Sequence, residues 1–445
     1  MNKILLVQQY LGDNNEVGPI FPIGLAYLAT SIERINWSIK AIDMNVYDNP
    51  YKELSSILSS FCPDVVGLSL RNIDNVDYDK YNYFYKELKG VIKTIKQFAP
   101  ILIIGGAGFS IFAPEIMSQN NTIDYGIVQE GEETIIELLK CIEYNKTIEN
   151  VKGMYYWKQG HLVFSGERKP INFSKSPIPN RTYFEINRYL GPLCMGVQTK
   201  RGCSLKCSYC TYPFLNKYSE RFRLPKDVVD EIELLINNYG ITEIIFCDDI
   251  FNFPISHSLE IINEILKRKI TIKWSAWFDV ASTDIEFIRL AIKSGCYRFC
   301  FSTEGVTDIT LRKLRKNFNA LQADNLIKIT RSDEFDKIDF RFSLFAMPPG
   351  QTLYGMFKTI YIVFKTHVTK KNSKCLVSWI RVLPNTEIYY MFKPKVNLLP
   401  QDITDGTKKQ LFYNDYSINK NIVAIYTIIL RCVLYMRKIS KFFWN

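Results

Sequence analysis

Cys203, Cys207 and Cys210 stand at CxxxCxxC spacing in the run Lys200-Arg201-Gly202-Cys203-Ser204-Leu205-Lys206-Cys207-Ser208-Tyr209-Cys210. Three thiolates so spaced fit one iron–sulfur cluster. Three protein ligands on a [4Fe-4S] cluster leave one iron open to a substrate or cofactor, whereas an electron-transfer cluster takes four cysteines. A zinc knuckle is the rival for such a run, and it wants a fourth Cys or His nearby. Cys247 and His257, the next candidates, lie far downstream. Three unrelated buried thiols are the plainest alternative.

The neighbours narrow the choice. A strand pattern over 195–199 leads into Arg201-Gly202, and an aromatic residue, Tyr209, precedes the last cysteine. With them the run resembles the radical SAM superfamily. That resemblance implies a cluster that binds S-adenosylmethionine (SAM) through its amino and carboxylate groups and reduces it to a 5′-deoxyadenosyl radical.

Two sets of elements must position this loop. Upstream, strand patterns at 3–7, 38–43, 64–70, 101–105 and 125–128 alternate with helix patterns at 21–35, 51–61, 81–98, 113–117 and 132–141. Such alternation builds a doubly wound parallel sheet, with ligands at the strands' carboxyl ends. The loops there carry Ser69, Leu70 and Arg71, then Gly105, Gly106 and Gly108, then Glu130 and Gly131. The glycines would let backbone approach a bulky ligand. Together with Phe21-Pro22-Ile23-Gly24-Leu25-Ala26-Tyr27-Leu28, these stretches resemble the cobalamin-binding domain of class B radical SAM methylases. The resemblance implies that Ser69, Leu70, Arg71, Gly105, Gly106, Gly108, Glu130 and Gly131 line a cobalamin site.

None of the three histidines (161, 257 and 367) falls in this half, and the loop Gln8-Gln9-Tyr10-Leu11-Gly12-Asp13-Asn14 lacks the histidine of methionine-synthase-like cobalamin domains. Cobalamin must then be held without a histidine ligand. Arg71 resembles the arginine that approaches the lower face of the corrinoid in the tryptophan methyltransferase group of the family. A guanidinium does not ligate, and its charge would favour the electron-rich Co(I) state. Pairing of Arg71 with Asp74 or Asp77 on a surface loop is the competing reading.

Downstream, a hairpin pattern at 151–164 and a proline-marked connector precede six strand–helix units. Their strands are expected at 193–201, 243–247, 271–277, 298–302, 338–345 and 376–383. They fit a partial (β/α)6 barrel with chemistry at the strands' carboxyl ends. By resemblance, Asp248 would receive the SAM amino group, Ser302 and Glu304 would contact its methionine and ribose portions, and Arg341 its carboxylate. Helix capping competes for Asp249 and Thr303. Segment 389–421 shows no periodicity, and its aromatic residues would cover the substrate side of the barrel.

A length of 445 residues calls for several domains: 1–145, cobalamin-binding; 146–190, hairpin and linker; 191–385, radical SAM barrel; 386–445, a small, mostly helical region. The class is α/β. Eleven cysteines without a signal peptide point to a reducing cytoplasm. The net charge of +11 is spread without a long basic block and reads as Lys-rich codon usage. The apolar tail 421–443, ending with Arg437, Lys438 and Lys441, suits a helix on the domain or at a membrane surface rather than across it.

The resemblance implies a methyltransferase acting on an inert carbon of a small molecule or peptide, using a [4Fe-4S] cluster, SAM and cobalamin. A polar transfer to an sp2 carbon is open if Arg71 acts as in the tryptophan group. The same architecture serves ring rearrangement or cyclisation. A radical SAM RNA-modifying enzyme with a non-corrinoid N-terminal module is the third reading. Expected partners are the substrate and an electron donor such as flavodoxin or ferredoxin, with no nucleic acid, and membrane contact by the tail is the less favoured of its two placements.

Overall fold

The computed structural model describes residues 2–13, 19–98, 100–370, 372–414 and 418–440, with side chains to 436. Asn14 and Lys441 lie outside the described residues, as do the side chains of Arg437 and Lys438. The first sheet grows from short runs of Ile, Leu and Val. β1 (Lys3–Gln8), β2 (Ser38–Asp43), β3 (Val65–Ser69), β4 (Ile101–Gly105) and β5 (Tyr125–Ile127) run parallel in the order β2-β1-β3-β4-β5. Ile4, Leu5, Leu6 and Val7 are all buried, because helices cover both faces. These helices are α1 (Ile23–Ile32), α2 (Pro50–Phe61), α3 (Leu88–Lys96), α4 (Ala107–Ile111), α5 (Ala113–Gln119) and α6 (Glu132–Glu143). Strand order reverses between β1 and β3, so the binding crevice opens at Gln8–Gln9 and Leu70–Arg71. A hairpin, β6 (Met154–Lys158) and β7 (His161–Phe164), extends the sheet antiparallel from β5.

The second sheet holds six parallel strands. β8 (Gly196–Val197) is followed by a ribbon, β9 (Lys200–Arg201) with β10 (Arg221–Phe222), and then by β11 (Glu243–Phe246), β12 (Lys273–Phe278), β13 (Cys296–Glu304), β14 (Asp339–Phe345) and β15 (Ser373–Ser378). Their order, β15-β14-β13-β12-β11-β8, gives the partial barrel expected from the repeats. Its helices are α7 (Tyr212–Leu215), α8 (Pro225–Tyr239), α9 (Ile255–Lys267), α10 (Ile285–Lys293), α11 (Asp308–Lys313), α12 (Ala320–Thr330) and α13 (Leu353–Val363). Local chemistry sets their ends: Pro225 opens α8 and Gly240 (φ 65°) closes it, while Asp284 and Asn319 cap α10 and α12.

One face of the first sheet, with Ile4, Leu6, Ala26 and Leu138, shares a continuous core with the barrel. The other face, with Leu5, Val7, Leu58 and Leu88, shares its core with Val382, Leu398, Leu399, Leu411 and Phe412. The C-terminal region, α14 (Glu387–Phe392), α15 (Asp405–Gln410) and α16 (Lys420–Ser440), therefore closes against the N-terminal domain as well as the barrel. Part of segment 389–421, expected over the substrate side, in fact packs here.

Two predicted strands end early for identifiable reasons. The backbone N–H groups of Thr199 and Lys200 donate to the Asp248 carboxylate instead of a sheet neighbour, which splits the first barrel strand into β8 and β9. The sixth strand stops at Ser378, and Arg381 beyond it bridges to Phe412. Buried Tyr426, Leu430 and Val433 hold α16 on the domain, with the Tyr426 hydroxyl donating to the Ala346 carbonyl (3.0 Å). Among the described residues no helix is long and apolar enough to cross a membrane.

Candidate functional site

The cysteine loop leaves β9 through a turn that only glycine allows. Gly202 has φ +92°, and a Cβ there would sit 2.0 Å from the Ser219 carbonyl oxygen. The loop is then tied on two sides: Ser208 N–H donates to the Leu314 carbonyl (3.1 Å), and Ile388 N–H donates to the Ser208 carbonyl (2.8 Å). Cys203 and Cys210 each sense the charge of Cys207, so the three thiols share one pocket. Burial pushes the Cys203 thiol up to about 11 and raises Cys210 further. Both stay protonated until a metal displaces the proton. Three thiols that supply one ligand each suit a [4Fe-4S] cluster with one iron left open, whereas a zinc knuckle needs a fourth ligand.

Two acidic groups face this pocket. Asp249 lies at the carboxyl end of β11, and its Oδ2 is buried without a hydrogen-bond partner. Burial, then the adjacent Asp248 charge, pushes its carboxyl up to about 7. An unpartnered buried carboxylate next to Cys203 and Cys210 fits an incoming ammonium. Asp248 does not: it accepts from Thr199 N–H (2.8 Å), Thr199 Oγ1 (2.6 Å) and Lys200 N–H (3.2 Å), which makes it the anchor of the cysteine loop. The expectation for Asp248 thus passes to its neighbour. β11 ends at Phe246, and Asp248 and Asp249 lie in the bend that follows it.

Glu304 sits where β13 slips register against β14, in a left-handed conformation (φ 62°) rare outside glycine. Its carboxylate accepts from Ser343 Oγ (3.4 Å), and its charge reaches Tyr209 of the cysteine loop. Ser302 lies on the same strand, half-buried. Arg341 points away from the SAM position expected for it, for it pairs with Asp339 (3.0 Å) alongside Arg298 near the strands' amino-terminal ends.

Across the interdomain gap stands Arg71. It is exposed and makes no side-chain hydrogen bond or ion pair among the described residues. Its charge reaches Asp43, Tyr212 and Cys247, which belong to both domains. Neither expected surface partner takes it, since Asp74 pairs with Arg381 and Asp77 accepts from backbone N–H groups. No histidine enters the gap: His161 is on β7, His257 contacts the Arg223 carbonyl, and His367 accepts from Cys375 N–H.

The glycines of the β4 loop allow a close approach to the chain's own backbone. A Cβ on Gly106 (φ +102°) would lie 2.6 Å from the Leu70 carbonyl, and one on Gly108 3.1 Å from that of Arg71. With Gly108 N–H donating to the Arg71 carbonyl (2.8 Å), they clamp the Arg71 loop. Leu70 is a core residue, and its N–H donates to Gly105 (2.8 Å). Ser69 ends β3. Gly131 starts α6, where a Cβ would crowd Leu28 (3.2 Å).

Glu130 acts as a structural clamp. It binds Arg201 (2.9 Å) and Arg221 (2.7 Å), while Glu132 binds Arg201 from the other side (2.6 Å), and Arg201 stacks over Tyr27 and Phe173. The residue two places before Cys203 is thereby fastened to the first domain. Glu132, Tyr27 and Phe173 carry no local sequence signal for this. Burial raises the Glu130 carboxyl, but the two guanidiniums outweigh it and hold it below 4.5. A lowered folded value stabilises above the unfolded one and is lost as pH falls through the folded value. Glu130→Gln should therefore cost about 2 kcal/mol in melts near neutral pH. The difference from wild type should close on acidification below 4.5.

With this geometry in view, two family models match the chain: B12 binding domain over residues 15–139 and Radical SAM superfamily over 197–352. An uncharacterized methyltransferase of Pyrococcus horikoshii is 26% identical over 70% of this chain and 66% of its own. The anaerobic magnesium-protoporphyrin IX monomethyl ester cyclase of Cereibacter sphaeroides is 24% identical over 72% of this chain and 53% of its own. The chain thus spans between half and two thirds of those relatives' length. Among solved structures, the radical S-adenosylmethionine methyltransferase TsrM of Kitasatospora setae, with tryptophan and a SAM analogue bound, superposes with a TM-score of 0.78 at 21% identity, over 88% of this chain and 76% of that one. That likeness extends the shared fold across both domains.

Proposed function

We propose that this chain, which belongs to the radical SAM superfamily and carries a B12-binding domain ahead of its barrel, is a cytoplasmic methyltransferase that acts on a carbon of a small molecule or peptide. In this reading Cys203, Cys207 and Cys210 hold the [4Fe-4S] cluster, and Asp249, Glu304 and Ser302 hold SAM. Arg71 lies against the corrinoid. When bound, the cluster supplies an electron for SAM cleavage and the corrinoid carries the methyl group. The observation that carries the reading is the exposed, unpartnered Arg71 of the first domain, whose charge reaches Tyr212 and Cys247 of the barrel. A fixed cation that cannot ligate favours an electron-rich metal beside it.

The protein's own contribution is placement. The Glu130–Arg201 contact fixes the cysteine loop against the first domain and the Asp248–Thr199 contact fixes it within the barrel, which presents the reactants to one another. We assign residues 1–145 to the cobalamin-binding domain, 146–190 to the linker, 191–385 to the barrel and 386–445 to the C-terminal region. A separate low-potential electron carrier serves as reductant, and nucleic acid has no part.

Methyl transfer turns SAM into S-adenosylhomocysteine, whereas reductive cleavage gives 5′-deoxyadenosine and methionine. Anaerobic turnover with candidate substrates should therefore produce S-adenosylhomocysteine, and only when corrinoid is present. Turnover giving 5′-deoxyadenosine alone would favour the cyclase reading, which the cyclase relative supports. Asp249→Asn should weaken SAM binding by about tenfold or more, the worth of one charge-assisted hydrogen bond. Equilibrium dialysis with labelled SAM checks this, with an unchanged melting temperature as the control.

A further inference from the structure

The cysteine loop comes to the surface at a basic rim. Ser204 and Lys206 are exposed, and Cys207 between Lys206 and buried Ser208 is partly so. The Ser208–Leu314 backbone bond sets this tip beside the sequence Arg312-Lys313-Leu314-Arg315-Lys316. Arg312, Lys313 and Arg315 are exposed, and Lys316 lies over the rings of Tyr209 (5.9 Å) and Phe318 (5.5 Å). Acidic groups hardly offset the rim: Glu387 pairs with Arg315 (2.6 Å), and Asp308 accepts from Ala320 N–H (2.7 Å). Lys206, Arg312 and Lys313 make no ion pair among the described residues. Cations so placed, with no acidic side chain paired to them, add little to stability. They steer an oppositely charged partner.

Resting on the cluster reading above, we infer that Lys206, Arg312, Lys313 and Arg315 form the docking surface for an acidic electron-carrier protein, which approaches the cluster over the Ser204–Lys206 tip. One electron leaves the reduced carrier and enters the cluster. No bond forms or breaks, and no proton moves.

The test compares reductants on the reconstituted full chain, following the cluster's electron paramagnetic resonance signal in rapidly frozen samples. With reduced flavodoxin at low salt, the R312E/K313E variant should be reduced about tenfold more slowly than wild type. Added salt should shrink the difference, and dithionite should reduce both proteins alike. Equal rates with flavodoxin overturn the docking surface, as does a loss with both reductants, which marks damage to the loop. Unchanged flavodoxin kinetics with lost RNA retention on filters overturns it in favour of a nucleic-acid surface. A wild-type protein that dithionite cannot reduce refutes the cluster reading itself, a distinct result.

Discussion

Cys207→Ala protein reconstituted anaerobically with iron and sulfide is expected to lose the cluster's visible absorption and to produce no 5′-deoxyadenosine from SAM. Two thiolates cannot hold the cluster with one iron free, because each takes a single iron. The fold should survive: Cys207 is partly exposed, and the loop keeps its Ser208 bonds to Leu314 and Ile388. Corrinoid binding should also survive, because the sheet that would receive it lies in the other domain. Cys300→Ala gives the contrast. Cys300 sits on β13, and it should keep both cluster and cleavage. Iron retained by the Cys207→Ala protein, with continued SAM cleavage, would refute the ligand assignment.

Arg381→Met should be the most destabilising of the single changes considered. Arg381 lies beyond the end of β15, yet its guanidinium donates to Asp74 of the first domain (2.9 Å) and to the carbonyls of Val382 (2.9 Å) and Leu398 (2.7 Å). Both side chains of the pair are almost fully buried, 2% and 1% exposed. Removing one partner leaves the other charge uncompensated, a cost of about 3–5 kcal/mol. Asp74 follows Arg71 by three residues, and its Oδ2 also accepts from Tyr81 (3.0 Å), so the loop bearing Arg71 should loosen as well. Combining Arg381→Met with Asp74→Leu should cost less than the sum of the two single changes, since no buried charge then remains. Thermal melts of the four proteins measure that coupling, and strictly additive losses would contradict it.

The elements and the cysteine loop were legible because each rests on local information. Apolar runs such as Ile4–Val7 and Ile101–Ile104 announce strands by themselves, and three cysteines within eight residues need no tertiary context. The partners of charged residues were not legible, for they are set by folding. Glu130 meets Arg201 and Asp74 meets Arg381 across separations of 71 and 307 residues. Nothing local distinguishes such a clamp from a ligand contact. The glycines were legible only as places of close approach, and the structure shows the chain's own backbone at Leu70 and Arg71 approaching Gly106 and Gly108. The choice between Asp248 and Asp249 was not legible either, because both lie in the bend after β11, beyond the strand's alternation.

The central claim is that a cluster on Cys203, Cys207 and Cys210 faces a corrinoid held beside Arg71 in the same chain. Metal analysis of the protein, reconstituted anaerobically with iron, sulfide and cobalamin and then desalted, tests it most directly. The account predicts a full [4Fe-4S] complement of iron together with equimolar cobalt, and it predicts that Cys207→Ala loses the iron but keeps the cobalt. Iron retained without corrinoid would contradict it.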